Sequence, residues 1–298
     1  MENTIIASGK TKELYTTDNP DILRMRSLDN LSAGDGAYQA NLAVGASKNR
    51  QNALVMAHLE KNGINTSFIK QVSETDSLVK GLDMMDVECV VRGIPFGSYT
   101  KRNPLSGIYT DHMGFPLPLD APVFEMFHKR TVFVGNGFEV MLKEKDARRI
   151  YCRGGIWHAY CHTDPYIEPN GNKWDIYDKA KPTTPENKLT TIPAEISTKT
   201  IDEMRGISLA AYNLIKDGWG NIRVEGEPVA LADIKFEFGQ DTRGNLCLGD
   251  VVDNDGWRIW VGGNPKRALD KQLFRDGVVS NDVVEKTYAQ VAKLLEAL

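Results

Sequence analysis

Residues 231–239 read LADIKFEFG, and no other stretch of the chain restricts its fold so tightly. Ala232, Ile234, Phe236 and Phe238 fall on one parity, Asp233, Lys235 and Glu237 on the other. A strand turns successive side chains to opposite faces, so the apolar set requires a core on one side. The other face then carries acid, base, acid in a row. A helix, with its period of 3.6, could not separate the two sets. NLCLGDVVD follows through the turn GQDTRGN and reads as the antiparallel partner of this strand.

The charged face has two readings. It can be a solvated surface. It can also be a site, because LGDVVDND brings Asp250 close to the same hairpin. Two carboxylates on adjacent strands supply the few hard oxygen ligands that a Mg²⁺–nucleotide takes, with phosphates completing the octahedron. Lys235 between the acids would then clamp a transferring phosphoryl group. Arg258 in GWRIW and Lys271 in LDKQLFR add positive charge for an anionic second substrate.

Other segments offer phosphate chemistry of the same kind. In ASGKTKELY a Ser8-Gly9 turn is followed by Lys10 and Lys12 and then an apolar strand. This is either an ordinary hairpin turn or a lid whose backbone N–H groups and lysines approach a nucleotide. DNLSAGDGAYQ places Asp35 between glycines, either in a plain loop or where backbone comes close to a ligand. In VECVVRGIPFGSYTKR, Arg92 ends an apolar strand and Gly97-Ser98 follows. It is a surface strand end, or a planar guanidinium beside a turn that suits phosphate.

The N-terminal 92 residues read as a β-rich lobe. Strand-like runs are NTIIASG, KELYTT, DILRMRS, TSFIKQV, DSLVKGL and VECVVRG, with one helix over SKNRQNALVMAHLEKNG. Ser47 is expected to cap that helix and Gly63 to close it in the left-handed region. From 93 onward the chain reads as a larger lobe with an excursion at about 130–190. Prolines break up its first part, and 161–188 is polar and turn-rich enough to be read as a covering loop without regular structure. TIDEMRGISLAAYNLIKDGWG carries a helical stripe of Ile201, Met204, Ile207, Ala211, Leu214 and Ile215. NPKRALDKQLFRDG starts like a helix, with Asn264 as cap and Gly277 at its end. The last helix, from 281, has Ser280 as cap and buries Val284, Tyr288, Val291 and Leu295.

Composition narrows the partners. With 298 residues the chain is long for one core, so one large domain or two lobes are expected. Its net charge of −4 supplies no global field for nucleic acid, so an anionic ligand needs a local cluster. No apolar run reaches the length of a membrane span, and MENTIIASGK lacks the features of a signal peptide. Cys89, Cys152, Cys161 and Cys247 are widely spaced and read as reduced thiols of a cytoplasmic protein. Cys152, His158, Cys161 and His162 match no familiar zinc spacing. A symmetric homodimer is the default assembly.

The ordered pieces GKTKELY, SAGDG, GLDMMDVECVVR, GSYTKR, FEMFHK, TDPYIE, LADIKFEFG, LGDVVDNDGWRIW and LDKQLFR resemble the SAICAR synthetase family of purine biosynthesis. The resemblance implies an α+β enzyme of two lobes, the first like the small lobe of kinases and the second ATP-grasp-like. It implies an ATP-dependent carbon–nitrogen ligase that phosphorylates the carboxylate of carboxyaminoimidazole ribotide (CAIR) and lets the amine of L-aspartate displace phosphate. By the same resemblance, Lys10 and Lys12 belong on ATP phosphates and Met84 to Val87 along the adenine. Glu237 and Asp250 belong on Mg²⁺, and Lys235 at the reacting group. Arg92, Ser98 and Arg258 are expected on the ribotide phosphate and Asp35 beside the substrate. Asp164 is expected near the substrate carboxylate with a second Mg²⁺. The chain departs from the pattern at Val251, where the family usually has Glu, at the 93–96 loop, and in a long extra stretch before Asp164. Those departures leave open a different carboxylate or amine.

Overall fold

The computed structural model describes residues 4–33, 38–104, 110–111, 114–135, 138–143, 161–277 and 279–298. The chain forms two compact units, Met1–Met85 with Ala210–Leu298, and Asp86–Leu209. This partition differs from the expected 1–92 and 93–298: the N-terminal strands pack with the C-terminal third of the chain rather than alone. Both units combine helices with antiparallel sheets, so the α+β class expected from the sequence stands.

The first unit opens with β1 (Ile5–Ser8), β2 (Lys12–Thr16), β3 (Ile22–Ser27), β4 (Asn30–Ala33) and β5 (Tyr38–Asn41). Helix α1 (Gly45–Lys61), β6 (Phe68–Gln71) and β7 (Asp76–Lys80) follow. Five of these strands form an antiparallel sheet in the order β1-β2-β3-β7-β6, on which α1 packs. The helix begins two residues before Ser47. Gly45 N–H donates to Asp29 Oδ1 at 2.8 Å, so a carboxylate distant in sequence supplies the cap. A Cβ at Gly45 would lie 2.8 Å from Ser27 O and 2.9 Å from that carboxylate, so the approach requires glycine. At the other end Gly63 has φ 85° and Ile64 N–H reaches Leu59 O at 3.0 Å, the expected left-handed closure.

The second unit begins within β8 (Asp83–Arg92) and continues through α2 (Ser98–Arg102), β9 (Val123–His128), β10 (Arg130–Gly135) and β11 (Phe138–Lys143). It is completed by β12 (Cys161–Thr163), β13 (Tyr166–Asn170), β14 (Lys173–Tyr177), β15 (Lys188–Pro193) and the start of α3 (Thr198–Asn221). Its strands run β15-β14-β13-β9-β8 in one antiparallel sheet and β11-β10-β12 in another. The expectation of an unstructured 161–188 is therefore corrected. Asn170 pairs with Lys173 across Gly171-Asn172, with Gly171 at φ 62°. That two-residue turn was present in the sequence as Gly-Asn, a hairpin signal masked by the polarity around it.

The first unit resumes in α3 and ends with β16 (Arg223–Val224), β17 (Glu227–Gln240), β18 (Leu246–Gly249), β19 (Trp257–Val261), α4 (Gln272–Asp276) and α5 (Asn281–Leu294). Strand β17 pairs with β19 along its first half and with β18 along its second. Ala232, Ile234, Phe236 and Phe238 are buried as their parity requires. Burial of each large side chain contributes about 1.5–3 kcal/mol, which fixes the register of the strand. Trp219 and Trp257 meet edge-to-face at 5.6 Å in the same core. In α3 the buried stripe is Ile201, Met204, Ser208, Ala211, Ile215 and Trp219, with Ile207 and Leu214 half-buried. The expected helix from Asn264 to Gly277 divides into a 3₁₀ turn at Pro265–Arg267 and the short α4, closed by Gly277 at φ 62°. Val284, Tyr288, Val291 and Leu295 are buried as expected. Among the described residues no helix is long and apolar enough to cross a membrane.

Candidate active site

In the first unit the acid–base–acid face of β17 is not a solvated surface: Asp233 and Glu237 are each 4% exposed. Gly249 lies across from Glu237 in the β17–β18 register, which brings the next residue, Asp250, to the same end. The Lys235 ammonium bridges the two acids, donating to Glu237 Oε1 at 2.5 Å and Asp250 Oδ2 at 3.4 Å. Lys12 forms an ion pair with Asp250, and Lys10 lies in the turn that Gly9 N–H closes onto Lys12 O at 2.8 Å. Strand and turn thus gather Lys235, Glu237 and Asp250 of one hairpin with Lys12, which is distant in sequence, into one cluster.

Asp250 adopts φ 54°. Three described non-glycine residues have positive φ, namely Asp164, Glu225 and Asp250. Glu225 sits with Gly226 in the two-residue turn between β16 and β17, where that geometry is ordinary. Asp164 and Asp250 are two of the acids singled out from the sequence. A non-glycine residue in this region costs roughly 1–3 kcal/mol and persists where the surroundings over-determine it.

Arg258 pairs across β19 with Asp233, Nη1 to Oδ2 at 2.6 Å. Lys271, expected on substrate, is instead 7% exposed and packed into an ion network. Its ammonium lies 3.5 Å from Asp255, which also faces Lys48 at 3.8 Å and accepts from Tyr288 Oη at 2.8 Å. Burial lowers the Lys271 ammonium pKa, and burial together with the Asp255 charge raises Asp253 to about 6. Asp270 is also pushed up to about 6 by burial, while accepting from Ile259 N–H and Gln272 N–H. Met84 lies against Gly239 and Gly249: Cβ atoms there would be 3.0 Å and 2.9 Å from its sulfur.

The second unit holds Arg92, Ser98, Val87 and Asp164. Arg92 Nε donates to Glu125, its Nη2 to Ser98 Oγ at 3.2 Å and its Nη1 to Phe96 O at 3.3 Å. The other oxygen of Glu125 takes Arg102, whose guanidinium lies over the Phe127 and Tyr166 rings at 5.0 and 4.7 Å. The sequence reading missed Glu125 and Arg102. A lone acid in the apolar run VFEMFH carries the same signal that Asp233 and Glu237 carry in β17. Asp164, at φ 44°, is 3.3 Å from Lys179. Val87 is buried in β8 opposite His128. Asp35, Cys152 and His158 lie outside the described residues.

Burial, with the Arg130 charge second, lowers His128 to about 4, below the ordinary 6.5. As pH falls through 6.5 the unfolded chain takes up a proton that the native imidazole refuses. Stability is therefore lost from 6.5 down toward 4, at about 1.4 kcal/mol per pH unit. Asp253 and Asp270, raised, contribute with the opposite sign, so the readout is a difference. His128→Phe, which can keep the edge contact to Trp174, should lose less stability than the native chain over that window in denaturant titrations. Parallel curves would refute the assignment.

The SAICAR synthetase family model matches residues 5–134 and 173–293. The chain belongs to the SAICAR synthetase family. That family is the ATP-dependent ligase of purine biosynthesis that joins CAIR to aspartate, and this chain is a ligase of that kind. A phosphoribosylaminoimidazole-succinocarboxamide synthase of Chloroflexus aggregans is 30% identical over 98% of this chain and 94% of its own length. The synthase of Alteromonas mediterranea is 30% identical over 96% and 94%. Among solved structures, that of Ehrlichia chaffeensis superposes with a TM-score of 0.68 at 21% identity, covering 99% of both chains. A SAICAR synthetase in complex with ADP superposes at 0.65 with 24% identity, covering 97% and 96%. The family model leaves 135–172 unmatched, the stretch that holds Asp164.

Proposed function

We propose that the first unit's cluster binds and activates Mg²⁺-ATP and that the Arg92 cluster takes the phosphate of the ribotide. The observation that carries this reading is the Lys235 ammonium shared between Glu237 and Asp250, with Asp250 held in left-handed backbone. The donor set fits magnesium: two hard carboxylates and no third metal-ligating side chain among the described residues, which leaves positions for phosphate oxygens. When bound, the ion would neutralise charge on the nucleotide phosphates. Lys235 and Lys12 supply the remaining positive charge, on the β17 and β1–β2 sides. In the first step a CAIR carboxylate oxygen attacks the γ-phosphorus and ADP leaves. In the second the aspartate amine attacks the acyl carbon and phosphate leaves. A carboxylate alone is a poor electrophile, so the enzyme's part is positioning and charge neutralisation rather than a covalent nucleophile.

On this reading Arg92 and Ser98 bind the ribotide phosphate. Asp164, with Lys179 beside it at 3.3 Å, is assigned to the substrate carboxylate and a second Mg²⁺. The test is ADP release with ATP, Mg²⁺ and CAIR against a panel of amines. Turnover with aspartate supports the reading. Turnover only with another carboxylate or amine selects the variant pathway, and no ADP with any pairing refutes a ligase.

The adenine assignment of Met84 has its own check. A Cβ at Gly239 would lie 2.8 Å from Asp83 O and 3.0 Å from Met84 Sδ. Overpacking of that kind costs 1–3 kcal/mol, so Gly239→Ala should raise KM for ATP by about tenfold. KM for the ribotide should stay put; an equal rise in both would remove Met84 from the nucleotide.

A further inference from the structure

Residues 250–256 connect β18 to β19 without regular structure, yet they carry Asp250, Asp253 and Asp255. A buried loop must place its backbone N–H groups on partners. Here two of them go to one helix. Val252 N–H donates to Asn52 Oδ1 at 2.9 Å and Asn254 N–H to Gln51 Oε1 at 2.9 Å. Gln51 is itself fixed, donating from Nε2 to Tyr288 O at 2.8 Å. The loop returns at Gly256, whose carbonyl accepts from Lys235 N–H at 2.8 Å. Asn52 and Gln51 are each 1% exposed or less, so water does not compete for these bonds.

The side-chain pattern of α1 is unusual for a helix packed on a core. Lys48, Asn49, Gln51 and Asn52 are all buried. They divide by partner. Asn49 holds the β6–β7 turn, donating to Ser73 O and Glu74 O and accepting from Ser77 Oγ at 2.7 Å. Gln51 and Asn52 hold the acid-bearing loop. Asp250, two residues before the bond to Asn52, is the one residue of that loop in the left-handed region. A short loop gripped at Val252 and Asn254 and tied back to β17 at Gly256 cannot relax Asp250 without breaking one of those bonds.

We infer that Asn52, supported by Gln51, is a positioning residue: it holds the 250–256 loop so that Asp250 stays beside Lys235 and Glu237 in the geometry that receives the metal of the nucleotide. The inference rests on the assignment of Glu237 and Asp250 to Mg²⁺. Its test compares Asn52→Leu with Asn49→Leu, which removes more buried hydrogen bonds from the same helix but none to the loop. Two measurements are made on the full chain. The first is equilibrium binding of an ATP analogue with a non-transferable γ-phosphate, with and without Mg²⁺. Asn52→Leu should weaken binding of the Mg²⁺ form tenfold or more and the metal-free form by less than twofold. Asn49→Leu should alter the ratio of the two by less than twofold. The second is amide hydrogen exchange without nucleotide, in which residues 250–254 should exchange at least thirtyfold faster in Asn52→Leu and at the native rate in Asn49→Leu. Equal weakening of both nucleotide forms, the same split in Asn49→Leu, or unchanged exchange would overturn the inference. Should Asn52→Leu not fold, Asn52→Ser, whose hydroxyl is too short to reach Val252, is read in the same way. If the native chain gains no nucleotide affinity from Mg²⁺, the metal assignment itself has failed, and the exchange data alone decide whether Asn52 holds the loop.

Discussion

Lys235→Ala is expected to lower kcat by about 10³ or more while the protein remains folded. The magnitude follows from removing one preorganised charge aimed at developing negative charge, which costs roughly 10²–10³, and here a full ammonium is lost. The fold should survive because Lys235 is the exposed member of its trio, with a side chain 28% accessible against 4% for Glu237 and 12% for Asp250. Its removal also leaves the Glu237 and Asp250 carboxylates without the ammonium they share, while Lys12 still pairs with Asp250. The variant should therefore still bind Mg²⁺ with nucleotide, since the acids that would hold the ion are untouched. Single-turnover ADP formation and a thermal melt give both quantities. A variant with near-native kcat would remove Lys235 from the reacting group, and one that is unfolded would make it a structural ion pair.

The second large effect concerns stability. Glu125→Gln should destabilise the protein by roughly 3–5 kcal/mol, because breaking a buried ion pair leaves uncompensated charge, here two guanidinium groups at once. Arg92 and Arg102 both close on that carboxylate, and all three side chains are buried. Arg92→Ala is a different experiment. It leaves Glu125 with Arg102 as its partner, so the stability cost is smaller. It also deletes the planar fork beside Ser98, so KM for the ribotide should rise by about 10² with KM for ATP unchanged. Glu125→Gln with a native melting temperature would mean the triad is not the buried charge balance described. An equal rise in both KM values for Arg92→Ala would separate that arginine from the ribotide.

The Arg92 cluster and the β17 cluster differ in how far they could be read in advance. The alternation of LADIKFEFG gave Asp233, Lys235 and Glu237 a common face, and the hairpin turn gave Asp250 its place beside them, because both rest on contacts near in sequence. Arg92 and Ser98 were visible for the same reason: a strand end and the turn after it. Glu125 was not read, although it is a lone acid in an apolar run. Only the β8–β9 pairing, which sets Val90 opposite Glu125 and Val91 opposite Phe124, brings it to Arg92. Lys271 went the other way. Its charge was legible and its destination was not, since Asp255 and Lys48 meet it through the packing of α1 and the 250–256 loop.

By itself the amino-acid sequence determined the α+β class, the buried parity of β17, the stripe of the last helix and the family. Periodicity, turn chemistry and motif order are local properties, or ordered sets of them. Tertiary structure alone decided that the chain divides as Met1–Met85 with Ala210–Leu298 against Asp86–Leu209. It also decided that Asp29 caps α1, and that Asn52 and Gln51 grip the acid-bearing loop. Each of these is a polar group satisfied by another far away in sequence. Burial makes an unpaired partner costly, and packing, not sequence distance, chooses which group is there to meet it.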